Sequence, residues 1–258
     1  MSNALIGHTG FVGGNLLRQG QFDALFNSRN INTIRGREFE LLVSAGAPAA
    51  KWIANREPEQ DRAQMQQLMD YLGAVRAHRA VLISTIDVYD SPVGVDENSE
   101  PHRGGGCAYG HHRLWLEQFF CEHFDDLLIV RLPGLFGNGL KKNLIYDFLH
   151  DNRLHVINAQ SVFQFYSLDD LWADIQIAQR AGVRLINFAT EPVSVAEVAR
   201  EAFGFEFTNP EPPDPPARYD FRSRHAALYG DSDGYLRDRE QVLAAMRAFV
   251  LRSGWQGR

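Results

Sequence analysis

Residues 3–20, NALIGHTGFVGGNLLRQG, decide how the chain is read. Asn3 to Ile6 read as a short strand, apolar from Ala4, that meets a glycine at Gly7. Gly7, Gly10 and Gly13 recur at every third position, and a helical stretch then carries on to Gly20. That is a strand, a glycine-rich turn and a helix in succession. Glycines in such a turn let the backbone approach a pyrophosphate, which then sits at the helix N-terminus. A glycine triplet alone says little. The strand before it and the helix after it give it meaning, and a tight turn without a ligand is the alternative. Gly7, Thr9, Gly10, Phe11, Val12 and Gly13 are therefore candidate dinucleotide contacts. His8 lies among them, where its backbone matters more than its ring.

Working outward, FDALFNS (22–28) reads as a second strand and FELLVSAGAP (39–48) as a third, closed by small residues and Pro48. EQDRAQMQQLMDYLGAVRAH (59–78) places Met65, Leu68, Met69 and Leu72 at helical spacing. AVLISTIDVY (80–89) is a β-branched strand. YGHHRLWLEQFFCEHF (109–124) is an amphipathic helix with Leu116, Phe119, Phe120 and His123 or Phe124 inward, and DLLIVRL (126–132) is another strand. Short apolar strands alternating with helices predict parallel βαβ units covered on both faces. After Pro133 the pattern loosens. NLIYDFLHDN (143–152) looks helical, and 162–182 contains a helix that Ser167 and Asp170 are placed to cap. RLINFA (184–189) is the last clear core strand. TNPEPPDPPARYD (208–220), with five prolines, is irregular, and DREQVLAAMRAFVL (238–251) is a closing helix.

The chain has 258 residues, 45% hydrophobic and 22% charged, which suits a globular protein with a large core. Its 26 Lys and Arg against 32 Asp and Glu give a net charge of −6, which argues against nucleic acid or an anionic membrane as the main partner. Cys107 and Cys121 form neither a disulfide framework nor a metal spacing, and fit a reducing cytoplasm. No His/Cys/Asp cluster has zinc-like spacing, so no metal is expected. No leader peptide is expected, and no apolar run reaches the roughly 18 residues of a membrane span.

The residue closing the second strand reads the adenosine ribose in dinucleotide folds: an acid for NAD, an arginine for NADP. Here Ser28 and Arg29 stand there. Arginine matches a phosphate by charge and by its donor fork, so NADP is expected over NAD. A solvated surface arginine is the alternative.

Together these segments resemble the extended short-chain dehydrogenases/reductases, in the NAD-dependent epimerase/dehydratase group acting on nucleotide sugars. The resemblance spans nearly the whole chain. It rests on GHTGFVG (7–13), LLVSAGAP (41–48), LISTIDVYD (82–90) with its VYG-like end, the Tyr109 helix, VRLPGLFGNG (130–139) and FQFYSLDDL (163–171), in that order. It implies a Rossmann-type doubly wound parallel sheet over residues 1–190, to which 137–163 add part of a small C-terminal substrate-binding cap completed by 191–258. It implies Ala45, Gly46, Ala47 and Pro133 as further cofactor contacts, and Asp87, Asn143 and Gln164 on the substrate side. Its catalytic residues fall on Thr85, which hydrogen-bonds the reacting oxygen, and on Tyr109, which gives or takes a proton as hydride moves.

The family's next catalytic residue is a lysine four positions after the tyrosine, and here Arg113 stands in its place. Arginine keeps the charge but places its donors differently. Lys51, just after the SAGAPAA loop, is a candidate substitute, with a solvated lysine as the alternative. The stretch between the second strand and ELLVSAG is short, so the family's usual third strand and its helix are shortened or missing. One of the two acids of the dehydratase branch is lost, since Ile86 and Asp87 follow Thr85, and Gln164 replaces the arginine of the RDF-like segment. His111 and His112 are adjacent on the helix, so at most one faces a cleft. The expected function is NAD(P)-dependent oxidoreduction or epimerisation of a sugar or nucleotide-sugar carbonyl or alcohol, in surface-polysaccharide synthesis by resemblance, with a homodimer formed through the Tyr109 helix. The rival is a non-catalytic NAD(P)-binding sensor or scaffold that has lost the chemistry.

Overall fold

The computed structural model describes residues 2–101, 107–209, 212–230 and 233–257. Its strands are β1 (Asn3–Ile6), β2 (Ala24–Phe26), β3 (Glu38–Ser44), β4 (Arg76–Thr85), β5 (Leu127–Leu132), β6 (Gly134–Phe136), β7 (Val162–Phe163), β8 (Phe165–Ser167), β9 (Leu185–Asn187) and β10 (Val193–Ser194). Its helices are α1 (Phe11–Gln19), α2 (Lys51–Arg56), α3 (Pro58–Leu72), α4 (Ala108–His123), α5 (Leu144–Leu149), α6 (Leu171–Arg180), α7 (Val195–Glu197) and α8 (Arg239–Arg252). The chain divides into two compact units. The first gathers Met1–Asp90, Asn98–Arg131 and Leu171–Ile186, and the second Ser91–Glu97, Leu132–Asp170 and Asn187–Arg258.

The first unit is built on a parallel sheet in the order β2-β1-β3-β4-β5-β9. Alternate strand residues Ala4, Ile6, Leu42, Ala80, Leu82, Leu127 and Ile129 pack with Met65, Leu68, Met69 and Leu72 of α3 and Leu116 and Phe120 of α4. The intervening Leu5, Val43 and Val81 are equally buried. Both faces are therefore covered, as continuous apolar strands require, and α1 and α6 pack on one another outside that cluster. Only a 3₁₀ turn, Ile31–Ile34, joins β2 to β3, so the third strand and helix of a longer fold are missing, as the sequence implied. The strand order reverses at β1, between β2 and β3. In open parallel sheets that switch point is where ligands meet the carboxyl ends of the strands.

Several boundaries and elements differ from the sequence reading. The helix expected over 59–78 ends at Leu72, where the Gly73 N–H bonds Met69 O, and Arg76–Arg79 already pair with β3. The strand expected over 80–89 stops at Thr85, whose hydroxyl accepts from the Asp87 N–H at 3.2 Å and turns the chain. Two short strands, β7 and β8, precede α6, and the Ser167 hydroxyl accepts from Asp169 N. A helical stretch at Val195–Phe203, opened by a Ser194–Glu197 capping box, was not expected at all.

In the second unit β6 runs parallel to β8, and β7 antiparallel to β10. Its core joins Phe136, Ile145, Phe148 and Phe165 to Val193, Val195, Phe203, Val242, Met246 and Phe249. The described part of the proline-rich stretch holds only isolated bridges, at Arg218 and Asp220.

Candidate active site

The glycine turn interlocks closely with its surroundings, and at Gly7 and Gly13 the neighbour is backbone. Gly7 leaves β1 at φ +84°, and a Cβ there would lie 2.2 Å from Ala45 O. A Cβ on Gly13 would lie 2.1 Å from Gly7 O, and one on Gly46 2.6 Å from Ile6 Cγ2. The ends of β1 and β3 and the first turn of α1 thus meet at the switch point with no room for side chains. Gly10 differs: a Cβ there would have Gly7 O, at 3.2 Å, as its only neighbour within 4 Å. The cradle is closed behind and open at Gly10, where no side chain caps α1. A backbone cradle at a helix N-terminus suits a diphosphate, so the residues present fit a dinucleotide.

The segment after β2 is tied to this turn. Gly7 N–H bonds Phe26 O at 2.8 Å, and the His8 ring meets the Asn27 amide at 3.1 Å. Asn27 Oδ1 accepts from Arg29 N and Asn30 Oδ1 from Asn27 N, which fixes the backbone while Ser28 and Arg29 remain exposed.

Tyr109 stands in the first turn of α4. Gly110 beside it carries no Cβ because one would lie 2.1 Å from Asp87 O, so the helix rests directly on the turn after β4. The Tyr109 N–H donates to Asn55 Oδ1 at 3.0 Å, which caps α4 from α2. The Arg113 guanidinium covers the Tyr109 ring, 4.3 Å from its centroid. Its Nη1 donates to Asp61 at 3.0 Å, and its Nη2 to Asp61 at 3.2 Å and to Pro48 O; it also hydrogen-bonds the Tyr109 side chain. Arg113 and Asp61 are both buried, and His112 Nδ1 adds a third contact to Asp61 at 2.7 Å. Lys51 Nζ lies 2.8 Å from Asp87 Oδ1. Burial pushes the Tyr109 phenol above its ordinary value. Arg113 opposes the shift, Asp87 adds to it, and Lys51 opposes it more weakly.

One turn further along α4, Glu117 takes both Nε and Nη2 of Arg131, at 3.0 and 2.6 Å, and accepts from the Ser84 hydroxyl at 2.5 Å. Arg131 also donates to Tyr89 OH at 2.7 Å. Burial works against the Arg131 charge, but its bonds to Glu117 outweigh that and raise its affinity for the proton. Tyr109, Arg113 and Glu117 recur every four residues, so one stripe of α4 carries the phenol and both buried ion pairs.

Of the sequence candidates, Gly7, Gly10, Gly13, Ala45 and Gly46 meet around the turn, Ala47 packs against the apolar cluster of the sheet, and Thr85, Asp87, Lys51, Tyr109 and Arg113 gather around the start of α4. Pro133, Asn143 and Gln164 fall in the second unit. Asn143 caps α5 and bonds Leu135 O, which commits its amide locally. Gln164 is 2% exposed. Its Nε2 donates to Thr190 O and Phe221 O and its Oε1 accepts from Phe221 N, so it serves the packing of that unit. The sequence reading missed Asp61, Asn55, Gly110 and the Glu117–Arg131 pair. Asp61 had a signal: it shares the helical spacing of Met65, Leu68, Met69 and Leu72, an acid on an apolar face. Among the described residues no group has a metal-binding arrangement, and no helix is long and apolar enough to cross a membrane.

The fold is that of the extended short-chain dehydrogenases/reductases. No family model matches the sequence, and no curated protein does. Among solved structures, the chain is similar to a dTDP-4-dehydrorhamnose reductase of Bacillus anthracis in complex with NADP. The two share 19% identity over 98% of this chain and 99% of that one, with a TM-score of 0.74. A UDP-glucose 4-epimerase of Thermotoga maritima with UDP-glucose gives 16% identity, coverage of 98% and 99%, and a TM-score of 0.70. An ortholog of the reductase from Clostridium acetobutylicum gives 16%, 98% and 99%, and 0.73.

Proposed function

We propose that this protein is an NADP-dependent reductase of a nucleotide-sugar carbonyl in which Tyr109 is the acid. The observation that carries the reading is the setting of Tyr109, one turn from a cation and stapled to the Thr85 strand through Gly110 and Asp87. Gly7, Thr9, Gly10, Phe11, Val12 and Gly13 would hold the pyrophosphate, Ala45–Ala47 would flank it, and Ser28 and Arg29 would meet the 2′-phosphate. When bound, the nicotinamide supplies hydride to the carbonyl carbon. A phenol held above its ordinary value stays protonated at neutral pH and donates rather than accepts, which favours reduction over alcohol oxidation. The Thr85 hydroxyl accepts from Asp87 N through its oxygen and keeps its own proton for the substrate oxygen. The sugar nucleotides bound and converted by the similar structures support the substrate class.

A second reading, a non-catalytic dinucleotide-binding protein, is favoured by one observation: Nη1 and Nη2 of Arg113 both donate to Asp61, and Nη2 also to Pro48 O, so the cation is tied into the protein. One set of measurements decides. With NADPH and a panel of nucleotide ketosugars, Tyr109→Phe is expected to cut turnover by about 10²–10⁴-fold and leave calorimetric NADPH affinity unchanged. Wild-type turnover should hold through neutral pH and fall only as pH rises through the raised phenol value, above about 10. NADPH should bind more tightly than NADH, with Arg29→Ala weakening NADPH alone by about 1.5–3 kcal/mol. NADPH binding without turnover of any ketosugar would establish the second reading.

A further inference from the structure

In the reductive reading, on which this inference rests, each turnover takes one proton from Tyr109 and leaves a phenolate that water must refill. Arg113 lies on the ring but does not serve. A guanidinium does not release its proton in any accessible pH range, and Arg113 is 3% exposed with its fork on Asp61 and Pro48 O. Lys51 is the cation of the other kind, an ammonium that exchanges its proton, with a side chain 45% exposed. Three contacts join Lys51 and Tyr109 in one cluster, and the Lys51 charge acts on the phenol. Asp87 holds Nζ at 2.8 Å, Arg113 holds Pro48 just before α2, and Asn55 of α2 accepts from the Tyr109 N–H. Asp87 is itself placed by Gly110, whose missing Cβ lets α4 rest on the Asp87 carbonyl.

We infer that the Lys51–Asp87 pair is the proton supply of Tyr109. The Lys51 ammonium gives its proton to the phenolate, which becomes the phenol again. The amine left behind takes a proton from hydronium in the solvent and releases water. Asp87 holds the ammonium in position and balances its charge. The charged groups that face Tyr109 are Arg113 from its own helix, Asp87 from the turn after β4 and Lys51 from α2, with Asp61 of α3 and His112 behind Arg113. Of these, Lys51 both carries a transferable proton and reaches solvent.

Charge and proton transfer are separable here, because arginine keeps the first and loses the second. Alkaline ultraviolet titration of each protein against its Tyr109→Phe counterpart isolates the Tyr109 phenol without substrate. Lys51→Met should move its midpoint to higher pH, and Lys51→Arg should not. In turnover of NADPH with a nucleotide ketosugar, both variants should fall by about 10²-fold. Lys51→Met should then recover in proportion to added methylammonium, with NADPH affinity unchanged. Asp87→Asn should lower the Tyr109 midpoint and slow turnover. Lys51→Arg turning over at the wild-type rate would overturn the inference, since Lys51 would then act by charge alone. So would a Tyr109 midpoint that Lys51→Met leaves unmoved, or a Lys51→Met enzyme indifferent to methylammonium. Each of these results leaves the reductase reading standing. A wild type that turns over no ketosugar, or a Tyr109→Phe enzyme as fast as wild type, overturns both.

Discussion

At Gly10 and Gly13 one atom, the carbonyl oxygen of Gly7, sets two different limits. A Cβ on Gly13 would lie 2.1 Å from it, nearer than any real contact, so Gly13→Ala must move the backbone. A Cβ on Gly10 would be tight against it at 3.2 Å, which a shift of a few tenths of an ångström relieves, and would meet nothing else among the described residues; Gly10 is in the extended region that any residue adopts. Gly13→Ala is therefore expected to lose about 1–3 kcal/mol of stability by urea unfolding. Gly10→Val should lose about 1 kcal/mol at most, keep its far-ultraviolet circular dichroism and lose NADPH binding. NADPH affinity surviving Gly10→Val would remove the cofactor from this turn. The glycine triplet and the Tyr109–Arg113 spacing were legible in the sequence because short-range spacing fixes both. The partner of Arg113 was not. Asp61 lies 52 residues away, and only its place on the apolar side of α3 marked it.

Among the elements, α4 does the most positioning. Tyr109, Arg113 and Glu117 share its stripe, Gly110 seats it on the turn after β4, and Asn55 caps it. The helix was expected from its amphipathic pattern, but two buried ion pairs at its core side were not, since Arg113 and Glu117 look like ordinary surface charges one turn apart. A buried pair has an asymmetric energetics. Removing one partner leaves the other uncompensated at a cost of about 3–5 kcal/mol, while replacing both with apolar groups is often near neutral. Asp61→Asn is thus expected to destabilise by about 3–5 kcal/mol, and the double change Asp61→Leu with Arg113→Met to recover most of that, read by urea unfolding. Both should slow turnover, because Arg113 no longer holds Pro48 and Tyr109 together. An Asp61→Asn protein as stable as wild type would show that Arg113 finds water in place of the carboxylate. Boundaries were less legible than elements. The α3 to β4 connection was misplaced because Arg76–Arg79 carry no apolar alternation, and only the pairing of β4 with β3 makes them a strand.

At the scale of the whole molecule, the sequence suggested a cut near residue 190, and the chain does not respect one. It leaves the first unit after Asp90, returns at Asn98, leaves again after Arg131, returns at Leu171 and leaves finally after Ile186. The loosened pattern after Pro133 hinted that the middle segment belongs elsewhere. Its packing against residues such as Phe203 and Phe249 is long-range and leaves no local trace. The consequence is testable by truncation at residue 190. The apolar cluster joining α3, α4 and the sheet lies wholly within 1–190 and stays intact. Phe136, Ile145, Phe148 and Phe165 lose the cover of Val195, Phe203, Met246 and Phe249. Uncovering one large side chain costs about 1.5–3 kcal/mol, so four of them rival the about 5–15 kcal/mol that holds a typical domain folded. The 1–190 fragment is therefore expected to bind a hydrophobic dye, to partition into the insoluble fraction on expression and to unfold without a sharp transition, where the full chain does none of these. Phe148→Ala in the full chain should cost about 3–5 kcal/mol, because Phe148 packs against the rings of Phe203, Phe205 and Phe207. A soluble fragment that unfolds cooperatively and binds no dye would show that residues 132–170 carry a core of their own.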